Sequence, residues 1–141
     1  MKQVLYIIFL MISILTNAQS IVGEWETFDD KTGDKLSVVE IYKSNNKYFG
    51  KITKLYEDPS DSVCEKCEDK NKDKPIIGLV ILNNLEEDDD EYNNGTILDP
   101  NNGETYKCYI ELITKNKLKL RGYIGFSIIG RTQSGKERYK R

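Results

Sequence analysis

Few residues in this chain have the type and spacing to do chemistry, and Cys64-Glu65-Lys66-Cys67 is the sharpest motif among them. A redox pair of this spacing opens a helix, whose N-terminus lowers the pKa of one thiol. Here the motif runs into Glu68-Asp69-Lys70-Asn71-Lys72-Asp73-Lys74-Pro75, with no apolar stripe to dock a helix and an acid beside Cys67. A zinc site would need two further ligands, and the chain has no histidine and only one other cysteine, Cys108. A local disulfide stapling an exposed loop is therefore the leading reading, with redox and metal roles as alternatives. Cys108 is left over as a buried thiol, sharing a strand face with Tyr106, Ile110 and Leu112.

The remaining candidates for chemistry are weaker. Without histidine there can be no Ser-His-Asp or Cys-His arrangement, and no carboxylate pair sits on an apolar face. No catalytic residue, cofactor or metal is expected. The run Glu86-Glu87-Asp88-Asp89-Asp90-Glu91 lacks the spaced oxygens and the glycine of a calcium loop and reads as a solvated loop. Asn94-Gly95-Thr96 matches a glycosylation sequon, a match frequent by chance. Gly23-Glu24-Trp25 is similar to the Gly-x-Trp on the first strand of lipocalin-like and avidin-like barrels. That resemblance implies that Trp25 plugs one end while an arginine from a late strand lies across its indole. Arg131, on the face of Ile129, is the better candidate for that contact; Arg121 falls on the polar face of its strand. Arg121, Tyr123 and Arg131 gather polar groups around Gly122–Gly130, and with Trp25 they form the candidate binding set.

These residues need a scaffold, and strand signals dominate the chain. Thr105 to Ile113 sets Tyr106, Cys108, Ile110 and Leu112 against Thr105, Lys107, Tyr109 and Glu111. Alternation of this kind means one buried face and one wetted face. Ile21 to Phe28, Ser37 to Lys43, Lys47 to Tyr56 and Lys117 to Ile124 read likewise as strands. Phe126 to Thr132 and Lys136 to Lys140 are further candidates, and Ile76 to Leu82 is a buried strand or a turn or two of helix. Short connectors such as Asp30-Lys31-Thr32-Gly33-Asp34, Ser44-Asn45-Asn46 and Pro100-Asn101-Asn102-Gly103 are built from turn formers and predict antiparallel hairpins. The fold class is all-β, an up-and-down antiparallel barrel of about eight strands, with an open sandwich as runner-up.

The first residues set the compartment. Lys2, the apolar run Val4 to Leu15 and the small residues Thr16-Asn17-Ala18 are laid out as a secretory signal peptide cut after Ala18. The apolar run is shorter than the ~20 residues a membrane anchor needs. The expected organisation is a signal peptide over 1–18 and one barrel domain over 19–141, periplasmic or secreted. Removing Lys2 with the leader takes the formal charge from −2 to −3. Weak acidity with scattered basic residues argues against nucleic acid.

Several segments in order resemble one family. They are Gly23-Glu24-Trp25, Val39-Glu40-Ile41-Tyr42 leading to Tyr48-Phe49-Gly50-Lys51-Ile52, Cys64-x-x-Cys67 and Pro75-Ile76-Ile77-Gly78-Leu79. They continue with Gly95-Thr96-Ile97-Leu98-Asp99-Pro100, Gly103-Glu104-Thr105-Tyr106, Arg121-Gly122-Tyr123-Ile124-Gly125 and Gly130-Arg131-Thr132-Gln133. The set resembles the small exported bacterial proteins grouped as domain of unknown function 2147. The resemblance implies a signal peptide and a compact β-barrel-like domain, and no established activity. Ser134-Gly135 stands where that family usually has an aromatic after the Gly-Arg-x-Gln segment. Tyr92 stands two residues before Asn94, where the family commonly has an aromatic, often Trp, directly before the Gly95 segment.

Three functional classes follow. The leading one is a non-enzymatic barrel, expected to be monomeric and without a transmembrane segment once mature. It would hold a small apolar or amphipathic molecule in or at the mouth of its interior. The second is an envelope-associated interaction module with a filled barrel as scaffold, and the third is an enzyme built on its polar tyrosines.

Overall fold

The computed structural model describes residues 19–29, 31–123 and 132–137. Eight strands follow one another: β1 Gly23–Phe28, β2 Lys35–Ser44, β3 Lys47–Leu55, β4 Val80–Asp88, β5 Glu91–Leu98, β6 Thr105–Thr114, β7 Lys117–Tyr123 and β8 Thr132–Glu137. Each pairs antiparallel with the next, and β8 returns to β1 through Trp25↔Glu137, Glu26↔Lys136 and Thr27↔Gly135. The sheet is closed, so its strand edges are paired within the barrel.

Side-chain alternation explains the core. On β3, Tyr48, Gly50 and Ile52 are buried between half-exposed neighbours, and on β6 Cys108, Ile110 and Leu112 are buried. Inward residues of β1 to β7 merge into one cluster that includes Ile21, Trp25, Leu85, Tyr92 and Leu118.

The two ends of the barrel differ. At one end the hairpins are as tight as hairpins get. Asn45 and Asn46, both at positive φ (50° and 62°), make a mirror-image two-residue turn between Ser44 and Lys47. Asp89-Asp90 joins β4 to β5, and Lys115-Asn116 joins β6 to β7. At the other end the connections are longer: residues 29–34, 56–79 and 99–104. Segment 56–79 carries a short 3-10 turn, Asp69–Asn71.

Four expectations need correction. The acidic run is not a free loop: Glu86, Glu87 and Asp88 finish β4, and Glu91 starts β5. Exposed charge is tolerated there because the hairpin tip projects into water, while Lys47 pairs with Glu86 at 3.1 Å and Tyr48 donates to Glu87 at 2.7 Å. The apolar stretch 76–82 divides. Ile76 to Leu79 turns on a Leu79 N–H bond to the Ile76 carbonyl, and β4 starts only at Val80. β5 is a strand the alternation did not announce, because Asn93, Asn94 and Gly95 interrupt it. The final strand starts at Thr132, earlier than its expected Lys136 to Lys140. The candidate strand Phe126 to Thr132 lies, apart from Thr132, outside the described residues.

Candidate functional site

A cavity of about 600 Å³ lies inside the barrel and opens between the long connections. Trp25 contributes to its floor. The indole is 2% exposed, and its N–H donates to the Ile21 carbonyl at 2.7 Å. That bond pins the segment before β1 across the tight-turn end, where Ile21 itself is fully buried. Beneath lie Tyr48 and Tyr92, edge to face at 4.9 Å between ring centroids. Burial, then the hydrogen bond to Glu87, pushes the Tyr48 phenol well above its usual value; burial first, then the Glu87 charge, raises Tyr92. Both phenols stay neutral and act as packing.

The walls are aliphatic. Val39 and Ile41 of β2, Ile81 and Leu82 of β4, Ile110 of β6 and Leu120 of β7 face the cavity. Gly122 lines it too, and a Cβ placed there would meet Ile97 at 3.4 Å. The nearest polar groups on the wall are the hydroxyls of Thr27 and Ser37, bonded to each other at 2.8 Å. Every buried polar side-chain atom among the described residues has a partner.

The mouth is polar. Asp29, Glu57, Asp58 and Asp99 stand around it with Asn101, Asn102 and Tyr106. Tyr106 accepts from Asn102 and donates to Glu104, each at 2.7 Å, and the Glu104 bond holds its phenol above the ordinary value. Two of the mouth connections are built alike. In each, an aspartate (Asp29 or Asp99) accepts turn amides on Oδ1, and its carbonyl accepts the N–H of a glycine four residues on. Gly33 and Gly103 take φ of +77° and +76° there, which glycine adopts without a Cβ penalty.

The third mouth connection carries the cysteines. Cys64 and Cys67 are disulfide-bonded. The staple sits inward, where an exposed loop was expected: the two residues are 0% and 2% exposed and belong to the core cluster. Cys64 N–H bonds to the Lys74 carbonyl at 2.8 Å, Asp73 N–H to the Cys64 carbonyl at 3.0 Å, and Ile76 N–H to the Ser62 carbonyl at 2.9 Å. These bonds fold the connection into a small flap against the β5–β6 turn. Cys64 Sγ lies 3.6 Å from the Pro100 carbonyl, and the Lys66–Cys67 backbone rests on Gly103. The flap is polar in sequence, so its docking could be read only from the cysteines and from Ile76 and Leu79.

The candidate binding residues part company. Trp25 is in the cavity. Arg121 alternates with Leu120 and Gly122, which line the cavity, and does not line it itself; it pairs across the sheet with Tyr109 and Thr132. Tyr123 ends β7 opposite Lys107. Arg131, proposed to cross the indole, lies outside the described residues. Sequence reasoning missed the mouth carboxylates and the Thr27–Ser37 pair, which come from loops and strands far apart in the chain. Cys108 is the one free cysteine among the described residues, and burial pushes its thiol up to about 12. No cluster of three or more potential metal ligands occurs among the described residues, and none of their helices is long and apolar enough to cross a membrane.

Comparison with known proteins agrees with this geometry. The family described as "Uncharacterized protein conserved in bacteria (DUF2147)" matches residues 23–136. Among solved structures, protein HP1028 from the human pathogen Helicobacter pylori, which belongs to the lipocalin family, superposes with a TM-score of 0.74. The likeness has 18% identity and covers 85% of this chain and 84% of that one. At that identity it establishes a shared lipocalin-like fold. No curated protein matches the chain.

Proposed function

The chain belongs to the DUF2147 family of bacterial proteins, and from that premise we propose that it is an exported, non-enzymatic barrel that holds a small apolar or amphipathic molecule. The observation that carries this reading is the cavity of about 600 Å³, walled by aliphatic side chains above the Trp25 indole and open at one end. Pockets of roughly 300–1,000 Å³ with apolar walls and a few polar groups are the usual form of small-molecule sites. The wall polar groups are a mutually bonded hydroxyl pair, Thr27 and Ser37, which offers a ligand hydrogen bonds that orient it. The Cys64–Cys67 disulfide suits an oxidising compartment and supports export to the periplasm or beyond, with 1–18 as the leader. The closed sheet supports a monomer, and the exposed large apolar side chains among the described residues (Val22, Val63, Ile113) are spread along the chain.

Trp25 is the only tryptophan, so its fluorescence reports on the cavity directly. Titration with the apolar dye N-phenyl-1-naphthylamine is expected to quench it with one-to-one stoichiometry. Gly122→Leu adds a side chain to the cavity wall beside Ile97 and should abolish that response, with Leu120→Phe as a milder second variant. A folded wild-type protein that ignores the dye sinks the proposal, as does undiminished binding in both variants.

A further inference from the structure

Within this binding reading, on which the inference rests, we propose that Ser37 is the residue that recognises the ligand, and that the group it takes is a neutral hydroxyl. The ligand is then an apolar alcohol, with its oxygen on Ser37 and its apolar body toward Trp25. Aliphatic walls select only for apolar surface, so a finer choice belongs to the polar groups they enclose.

The register puts those groups inside the barrel. Trp25 and Val39 face each other across β1 and β2, and Thr27 and Ser37 form the next inward pair toward the mouth. The two rungs are about 7 Å apart, twice the rise per residue of a strand. On the other side of β1, Thr27 is opposite Gly135, which brings no side chain to that rung. Ser37 is 9% exposed, a polar residue set into an aliphatic wall.

Hydrogen-bond valence then separates the two hydroxyls. Each has one proton to donate and two lone pairs. Thr27 Oγ is committed to Ser37 three times: it accepts the Ser37 N–H at 3.2 Å, lies 3.4 Å from the Ser37 carbonyl, and is 2.8 Å from Ser37 Oγ. If Thr27 donates to the carbonyl, Ser37 donates to Thr27 and keeps both lone pairs for a ligand donor. If Thr27 donates to Ser37 Oγ, the Ser37 proton is left for a ligand acceptor. Either way Ser37 keeps capacity for a ligand, and Thr27 is the positioning residue that holds it. A ligand hydroxyl both donates and accepts, so it is served by both arrangements. A carboxylate is served only by the second, and burying its charge against aliphatic walls adds a desolvation cost that an alcohol avoids.

The test displaces N-phenyl-1-naphthylamine with 1-decanol, 1-chlorodecane and decanoate, after the affinity of the dye for each variant has been measured. The chloride matches the alcohol in length without its hydroxyl, so the ratio of their affinities within one protein isolates the hydrogen bond. Ser37→Ala is expected to shift that ratio against the alcohol by about fivefold. Thr27→Val should shift it in the same direction, and Thr27→Ser, which keeps the oxygen, should hold it at the wild-type value. A merely structural role would weaken both probes alike and leave the ratio unmoved. Thermal melts confirm that each variant is folded at the assay temperature, and the two Thr27 variants decide the matter if Ser37→Ala is not. An unchanged ratio in Ser37→Ala and Thr27→Val, or decanoate binding more tightly than decanol, overturns the assignment while dye binding leaves the barrel reading standing. A folded wild-type protein that takes neither the dye nor any of the three probes overturns both.

Discussion

Gly33 and Gly103 provide a matched pair of perturbations. They occupy the same position in two similarly hydrogen-bonded turns, at φ +77° and +76°. Alanine at either pays the left-handed backbone penalty of about 1–2 kcal/mol. Their surroundings differ. A Cβ at Gly33 would meet nothing within 4 Å, whereas a Cβ at Gly103 would collide with the Lys66 carbonyl and sit 3.0 Å from Cys67 N. Backbone cannot swing aside as a side-chain tip can, so either the flap lifts or the turn opens. Forced repacking of this kind adds about 1–3 kcal/mol. Gly103→Ala should therefore be less stable than Gly33→Ala by about 2 kcal/mol, a shift in urea midpoint of about 1 M for a small domain. Urea unfolding followed by Trp25 emission measures it. A second readout is reduction of the Cys64–Cys67 disulfide by dithiothreitol, slow while both cysteines are buried and faster in Gly103→Ala alone. Coincident midpoints and equal reduction rates for the two variants would refute the docking of the flap on the β5–β6 turn.

Other outcomes follow from the same structure. Cys64→Ser/Cys67→Ser should lower stability by about 2 kcal/mol, modest because the closed loop is so short; thermal melts with and without reductant check it. Cys108, buried and with its thiol raised to about 12, should resist iodoacetamide at pH 8 in the native state and react only on unfolding, as read by mass spectrometry. Tyr48 and Tyr92 have folded-state pKa values raised above those of the unfolded chain, so the stability they contribute is complete below about pH 10 and is lost as pH rises beyond it. Tyr48→Phe should cost about 1 kcal/mol at pH 7 and flatten that alkaline decline; an unchanged slope would mean that Tyr48 is not its source.

The strand-rich character of the chain was legible because alternation is a local signal. Tyr106, Cys108, Ile110 and Leu112 announce a buried face with no knowledge of what covers it, and Asn45-Asn46 announces its turn by backbone preference alone. The Cys64–Cys67 pairing was legible for the same reason, since three residues of separation leave little to decide. Where local chemistry was ambiguous the reading faltered. Charge disguised the end of β4, and Asn93-Asn94-Gly95 disguised β5, because hydrogen bonding by neighbouring strands overrides weak strand preference.

Closure of the sheet, the volume enclosed by it and the composition of its mouth belong to tertiary structure. Pairing of β1 with β8 joins residues more than a hundred positions apart, and no local pattern encodes whether the enclosed side chains fill the volume they surround. Asp29, Glu57, Asp58 and Asp99 are ordinary turn residues one by one. They meet at one mouth only because an antiparallel meander returns alternate connections to the same end. The flap shows the same division: its cysteines predicted the bond, while the packing of Lys66 on Gly103 decided that the bond would be buried. Side-chain type and spacing act over a few residues, and burial, cavity and field are sums over the whole closed chain.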